Sequence, residues 1–444
     1  MAHSDQNSPM LVLGAGTFGL STALHLHRAG YTDITIFERA ESIPSQYSAA
    51  YDLNKIVRAE YENTFYTDLA LEAIKEWKTP LFAPYYHETG YIVACSGRAP
   101  EKAKKSLSTA LSSISKHAVF ASGIEPLKGG DAFRKFAWQL DGPMAGYTGY
   151  YNRLAGYGHS GNALKGVAEY LTSRGVRFVT GERRGRVAEL IYEGYGKSRR
   201  CVGVRTVAGT KYQAAKVICA LGSFGAALIP DLGKFAVARC WSVAHVQLTE
   251  KECDLLRGLP VVNVRDLGFF FEPDPATKLF KLCPLGAGYS NTDADGISLP
   301  PSENSSETSF SDWIPKADEV KLRTLLHEML PWMADRPFVD KKLCWFSDSK
   351  DSEYCIDFVP DTNESLVVIS GDSGHGFKMM PIMGSWVVEL LRKGRQEREL
   401  WRWRSEDVAS PHRKWGTAVS WRVGEAKELE DVAHEDRARL GARL

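Results

Sequence analysis

With 444 residues, a quarter of them charged yet a formal net charge of only +1, the chain gives no electrostatic reason to expect nucleic acid or an anionic membrane as partner. Its apolar content of 44% is that of an ordinary globular protein, and its length asks for two or three domain-sized units rather than one small core. The eight cysteines are scattered, with no C-x-x-C or other metal spacing, so no metal site is expected and the thiols read as free in a reducing compartment.

The polar opening MAHSDQNSPM lacks the apolar stretch of a secretory signal, and no apolar run approaches the roughly 20 residues of a membrane span. The expectation is a soluble intracellular protein. Residues 10–13 predict a short buried strand that runs straight into Gly14-Ala15-Gly16-Thr17-Phe18-Gly19. Leu20, Ala23, Leu24 and His27 then recur at helical spacing up to Gly30, and residues 34–37 make a second strand ending at Glu38. Strand, glycine turn, helix, strand and acid together read as a dinucleotide site. Gly14 permits the tight turn, Gly16 lets backbone approach a pyrophosphate, and Gly19 allows close helix–strand packing. The helix N-terminus favours the phosphates, and Glu38 suits the ribose hydroxyls of the adenosine half. A carboxylate there disfavours a 2′-phosphate, although Arg39 beside it blurs the argument, so FAD and NAD both remain open.

Further on, residues 161–173 predict a helix, 176–180 a strand, and 187–191, 201–207 and 211–213 three more strands. Residues 216–221 form an apolar strand ending at Gly222, where backbone would pass close to a cofactor. A last strand at 365–370 leads into Gly371-Asp372-Ser373-Gly374-His375-Gly376-Phe377-Lys378, and helical periodicity resumes over 382–391. Residues 61–150 and 231–340 are rich in aromatics and proline and suggest a substrate-covering domain with a sheet. Residues 290–312 read as a mobile loop, and the stretch after Trp403 as a peripheral, partly helical tail.

The stretches LGAGTFGLSTALHL (13–26), YDLNKI (51–56), PYYHETG (84–90), GFFFEPD (268–274), LCWFSD (343–348), SGDSGHGFKMMP (370–381) and WRWR (401–404) together resemble the monomeric sarcosine oxidase family of FAD amine oxidases, most closely its fungal fructosyl amino acid oxidases, or amadoriases. The resemblance runs from about residue 10 to about residue 404. It implies an α/β fold, an α+β two-domain flavoprotein. A Rossmann-like FAD-binding domain would come from residues 8–60, 151–231 and 341–400. An interleaved substrate domain on a mixed β-sheet would come from 61–150 and 232–340, with 401–444 as a C-terminal tail.

The same resemblance implies roles for particular residues. Cys344 would be joined through sulfur to the 8α carbon of the flavin ring, whereas read alone it is a buried apolar cysteine. Lys281 would activate oxygen, and a lysine inside an otherwise apolar strand pattern is costly unless used. Lys55 would sit beside the flavin. Lys378 would grip a substrate carboxylate, with Arg58 completing the clamp and Tyr61 alongside. Thr17, Phe18, Arg39, Ser48, Val187, Gly222, Gly374, Gly376, Phe377 and Lys378 would line the cofactor together with the first-motif residues.

The implied activity is oxidation of a secondary amine at the carbon next to nitrogen, giving an imine and, from dioxygen, hydrogen peroxide. Amadoriases carry an acidic pair soon after the oxygen-activating lysine, and here those positions are Pro284 and Leu285. With Phe346 near the tether, this predicts a less polar substrate than a sugar amine: an N-substituted or cyclic amino acid, or an N-methyl amine whose imine is either hydrolysed or captured within the molecule. Alternatives are a fructosyl amino acid oxidase, a saccharopine or pipecolate type of oxidase, or a flavin-binding sensor without turnover. A monomer is expected. The closing Ala442-Arg443-Leu444 fits a peroxisomal address, with a cytoplasmic location otherwise.

Overall fold

The strand Met10–Leu13 is buried at every position, as a strand covered on both faces must be. It lies parallel between Ile34–Glu38 and Lys216–Cys219, with Leu13 opposite both Phe37 and Cys219. Leu366–Ser370 and Arg177–Thr180 extend the sheet in parallel on either side, and Cys355–Phe358 closes one edge antiparallel to make six strands. The computed structural model describes residues 6–301, 312–404, 422 and 424–441, so residues 302–311 of the expected loop and the tripeptide 442–444 lie outside the described residues.

Among the described residues, the helices Thr17–Arg28, Ser160–Ser173 and Met383–Lys393 share one core with this sheet. Thr17–Arg28 follows the glycine turn, and Gly19 sits in it because a Cβ would lie 1.8 Å from the Gly14 carbonyl oxygen. Met383–Lys393 packs against it backbone to backbone. A Cβ on Gly384 would lie 2.0 Å from the Ser21 carbonyl oxygen, and Ser21 Oγ donates to Met380 O (2.5 Å) while accepting from Gly384 N (2.9 Å). A Gly19→Ala chain is therefore expected to lose about 1–3 kcal/mol of stability through overpacking. Urea unfolding checks this, and an unchanged midpoint would mean that the turn relaxes freely.

The second sheet has ten strands, centred on the twelve-residue strand Ala236–Gln247. That strand pairs antiparallel with Leu279–Pro284 on one side and with Val339–Ser349 along most of its length. Beyond Leu279–Pro284 come Gly268–Phe270, Val261–Val264, Tyr91–Cys95, Thr148–Asn152 and Ile124–Lys128. Strand alternation divides its side chains. Ala244, Val246, Phe280, Leu282, Phe270 and Val262 point into an apolar core with Leu322, Leu325 and Leu326 of the helix Lys316–Met329. Their neighbours Trp241, Val243, Lys281, Cys283, Phe269 and Asn263 occupy the opposite face and look onto the nucleotide sheet's side of the molecule.

Two expected boundaries are corrected. Residues 341–349, expected with the nucleotide domain, belong to the second sheet, because Val339–Ser349 hydrogen-bonds in register with Ala236–Gln247 from Ser349 opposite Ala236 to Val339 opposite His245. The tail expected from 401 is in part built into the fold. Trp401 is fully buried and donates from its indole to Tyr66 OH (3.0 Å), and Lys427–Glu428 pairs with Tyr289–Ser290 at the sheet edge, ahead of the helix Leu429–Gly441. Such large aromatic and long cationic side chains bury a great deal of surface when the remaining sheet offers a partner.

Candidate active site

Two cavities meet between the sheets, sharing Thr17, Ala49, Phe346, Asp372 and Gly376 in their walls. The first, of ≈ 330 Å³, lies over the C-terminal ends of Met10–Leu13 and Lys216–Cys219. Gly14, Gly16, Thr17, Phe18, Glu38, Arg39, Ser48, Val187, Gly222 and Gly376, all expected at the cofactor, line it. Gly14 has φ +99° and would clash through a Cβ with Ala220 O at 2.6 Å, while a Cβ on Gly16 would meet Ser48 Oγ at 3.1 Å, so bare backbone forms the cradle. Glu38 is fixed by three donors, Ala15 N (3.0 Å), Ala40 N (3.0 Å) and Ser45 Oγ (2.8 Å). Gly19 does not line the cavity, because its role is the helix–strand approach described above. A nucleotide with a flat ring at its far end fits this glycine-lined cavity and the joined second one.

The second cavity, of ≈ 210 Å³, is bounded by the exposed face of the ten-stranded sheet and by the turn 372–378. Lys55, Arg58, Lys281, Leu285, Cys344, Phe346, Gly374, Phe377 and Lys378 all reach its wall. Tyr61 does not. It stands behind Lys378, whose Nζ donates to its hydroxyl (3.1 Å) and to His375 O (3.1 Å). Cys344 is half-buried, with Sγ 3.5 Å from Ala49 O and 3.6 Å from Lys55 Nζ, and among the described cysteines only it and Cys283 border the cavity. Burial pushes the Cys283 thiol up to about 11, which makes it a poor nucleophile.

The electrostatic centre is Asp52, which the sequence alone does not mark. Its Oδ2 accepts from Lys281 Nζ (2.5 Å) and Lys55 Nζ (2.8 Å), and Lys342 stands 4.0 Å from Oδ1. Burial favours its neutral form, yet Lys281 and then Lys55 and Lys342 hold the carboxyl well below the usual range. Burial likewise works against the Lys55 charge, and Asp52 more than offsets it, raising that ammonium above the ordinary lysine value. Lys281, 1% exposed, also donates to Asn54 O (2.7 Å). One buried carboxylate therefore holds two ammonium groups, and the cluster keeps an excess positive charge.

A second basic group borders the same cavity. Lys378 is fully buried, and burial followed by the nearby Arg58 depresses its pKa well below the usual value. His375, pushed down to about 3 by burial and by Lys378, is neutral and fixes the chain of donors. Its Nε2 donates to Ser352 O (2.9 Å), and its Nδ1 accepts from Tyr61 OH (3.2 Å) and Tyr354 OH (3.0 Å). Asp372, on the seam between the cavities, is raised to about 7, chiefly by burial. Arg422, contributed from beyond the presumed tail boundary, is also in the wall. It forms a two-pronged ion pair with buried Asp348, its Nη1 2.6 Å from Oδ2, and stands over the Trp241 ring (5.4 Å), which stacks on Phe346 at 4.5 Å. Position 422 carries no local motif, so only the fold reveals it.

Trp241, Val243, Phe269, Pro284, Leu285 and Phe346 give the wall an apolar part, and Asn263 and the buried Arg265 stand beside it. Among the described residues no cluster of His, Cys, Asp and Glu is suited to a metal, and no helix is long and apolar enough to cross a membrane.

A family model described as FAD dependent oxidoreductase matches residues 10–390. The L-saccharopine oxidase of Schizosaccharomyces pombe is 32% identical over 428 residues, covering 91% of this chain and 95% of that protein. The amino acid oxidase imqH of Aspergillus flavus is 26% identical, covering 86% and 92%. Among solved structures, the deglycating fructosamine oxidase Amadoriase II of Aspergillus fumigatus superposes with a TM-score of 0.85 at 32% identity, covering 96% of each chain.

Proposed function

The chain belongs to the FAD-dependent oxidoreductase family, and on that premise we propose that it oxidises the secondary amine of an N-substituted amino acid, with dioxygen as electron acceptor. The observation that carries this reading is the placement of Lys281, Cys344 and Lys378 around one cavity that joins a glycine-lined nucleotide site. FAD, when bound, accepts a hydride equivalent from the carbon next to nitrogen and passes both electrons to dioxygen, which leaves as hydrogen peroxide. The substrate becomes an imine, which water splits into a primary amine and a carbonyl compound.

The chain's own residues do the rest. Gly14, Gly16, Thr17 and Glu38 hold the nucleotide half. Lys378 and Arg58 receive the substrate carboxylate, which supplies the negative charge that their adjacent buried cations lack. That places the amine in a water-poor chamber ringed by positive charge, where its neutral, oxidisable form is favoured. Lys281, oriented by Asp52 and Asn54 O, stabilises the negative charge that dioxygen acquires. Pro284 and Leu285 leave an apolar wall where a sugar would need hydrogen-bond partners, which disfavours a fructosyl amine.

Peroxide release from a panel of N-alkyl amino acids and fructosyl-glycine tests the assignment, and N-alkyl amino acids are expected to lead. Faster turnover of fructosyl-glycine would sink it.

Cys344 is proposed as the covalent anchor of the flavin. Wild-type protein precipitated in acid is then expected to keep its yellow colour in the pellet, and Cys344→Ser to release it to the supernatant. Colour in the supernatant for both would mean that the cofactor is held without a bond. The chain is also proposed to act as a monomer, and the peroxide it makes suits a peroxisomal setting. A tagged chain that stays diffuse with residues 442–444 intact would contradict that location.

A further inference from the structure

Asp372 lines both cavities, and among the described residues it is the only carboxyl group in the wall of the second. The turn around it is held in one shape. Gly371 (φ +75°), Ser373 (φ +46°) and Gly374 (φ +77°) all take left-handed backbone, which is strained for a serine. Ser373 is kept there by its N–H on Ser347 O (2.9 Å) and by Ser349 N on its Oγ (3.0 Å). Gly374 N donates to Asp372 Oδ1 (3.1 Å), and among the described residues Oδ2 has no hydrogen-bond partner.

A secondary amine arrives with a proton to lose. Its pKa in water is about 10, so at pH 8 about 99% of it is ammonium, which has no lone pair to help expel a hydride. The other titratable side chains of the wall are poorly placed to take that proton. Lys55 and Lys281 already donate to Asp52, and the guanidinium groups stay charged. His375 has both ring nitrogens engaged and is pushed down to about 3, while the Cys283 thiol keeps its own proton up to about 11. A proton taken by Lys378 stays there as the partner of the substrate carboxylate.

We propose that Asp372 Oδ2 takes the proton from the substrate's ammonium group and is the base that prepares the amine for oxidation. This deepens the amine oxidase reading and rests on it. Burial raises the Asp372 carboxyl to about 7 and Asp348 adds to that, while Gly374 N, Lys55 and Lys378 work against it. From the tail, Arg422 stands 3.4 Å from Ser373 O and is paired with Asp348. Such a carboxyl is ionised at pH 8 and still returns a proton readily.

The step balances. The N–H bond of the ammonium breaks as the O–H bond on Oδ2 forms, and the freed lone pair expels the hydride from the neighbouring carbon to the cofactor. That hydride and the Asp372 proton then leave with dioxygen as hydrogen peroxide, and water splits the remaining iminium into a carbonyl compound and a primary ammonium.

The test compares wild-type and Asp372→Asn holoenzyme, the amide keeping an oxygen for Gly374 N. Anaerobic bleaching by N-ethylglycine is expected to follow a bell in wild type, with limbs near 7 and about 10. The variant should show a single rise towards about 10 and be about 10- to 100-fold slower at pH 8. A merely structural loss would lower the curve without changing its shape. Binding of 2-aminoisobutyrate, whose amine-bearing carbon has no hydrogen to lose, is measured by calorimetry at pH 8 in two buffers of different ionisation enthalpy. The variant should release one proton more per molecule bound than wild type does. Profiles of the same shape, or equal proton release, would overturn the proposal. If N-ethylglycine bleaches neither protein, the amine oxidase reading fails on its own, while the proton count still decides whether Asp372 relieves an ammonium of its proton.

Discussion

Lys281→Met is expected to slow the oxygen-dependent half of turnover by about 10²–10³-fold, the usual effect of removing a preorganised charge from a developing anion. Methionine matches lysine in length and keeps the strand Leu279–Pro284 filled. Asp52 retains Lys55 at 2.8 Å, so its carboxylate is not stranded and the fold should survive. Reduction by the amine under anaerobic conditions, followed as bleaching of the yellow colour, should change far less, because the substrate carboxylate is held across the cavity by Lys378. Stopped-flow measurement of the two halves separates them. Equal slowing of both would mean that Lys281 places the substrate and has no special part in the oxygen step.

Lys378→Met is expected to lower kcat/KM for a carboxylate-bearing amine by about 10- to 100-fold, mostly through KM, since a charge-assisted hydrogen bond from a buried lysine is lost. An amine lacking that carboxylate should be nearly indifferent to the change. The same lysine predicts a pH effect. In the free protein, burial and Arg58 depress the Lys378 pKa well below normal, and a bound carboxylate raises it again. Between those two values binding takes up a proton, so affinity falls as pH rises through that window. Calorimetry in two buffers of different ionisation enthalpy would reveal the uptake. Identical heats in both would show that Lys378 is already charged before substrate arrives.

The parts of this protein that were legible in sequence are those whose cause is local. The turn Gly14-Ala15-Gly16, the helix after it and the strand to Glu38 follow from steric rules acting over thirty or so neighbouring residues, and the structure holds all three, the helix ending at Arg28 just before the expected stop at Gly30. Lys281 stood out because an ammonium interrupts an apolar strand. Asp52 could not stand out. Its meaning depends on a lysine 229 positions away, and an aspartate in YDLNKI looks like any turn acid until the two are brought together. Arg265 and Arg422 failed to signal for the same reason. A surface arginine and a buried one are the same letter, and only the pairing of Val261–Val264 with Tyr91–Cys95, or of Arg422 with Asp348, shows that water is excluded. Residues 341–349 read as part of the nucleotide domain because the glycine-rich turn after them lines the nucleotide side, and sequence alone does not say which sheet a segment joins.

That misassigned strand has a bearing on biogenesis. The glycine turn and Glu38 are made within the first 38 residues, but Ser48, Val187 and Gly222 complete the nucleotide wall later, the thiol at 344 arrives on a strand of the other sheet, and the loop at 372–376 on the seam is later still. A chain anchored through that thiol, as proposed above, could be soldered to its pigment only when more than three-quarters of it has been made. Colour that survives denaturation would thus mark a chain extended past residue 344, and products truncated before it should never carry it.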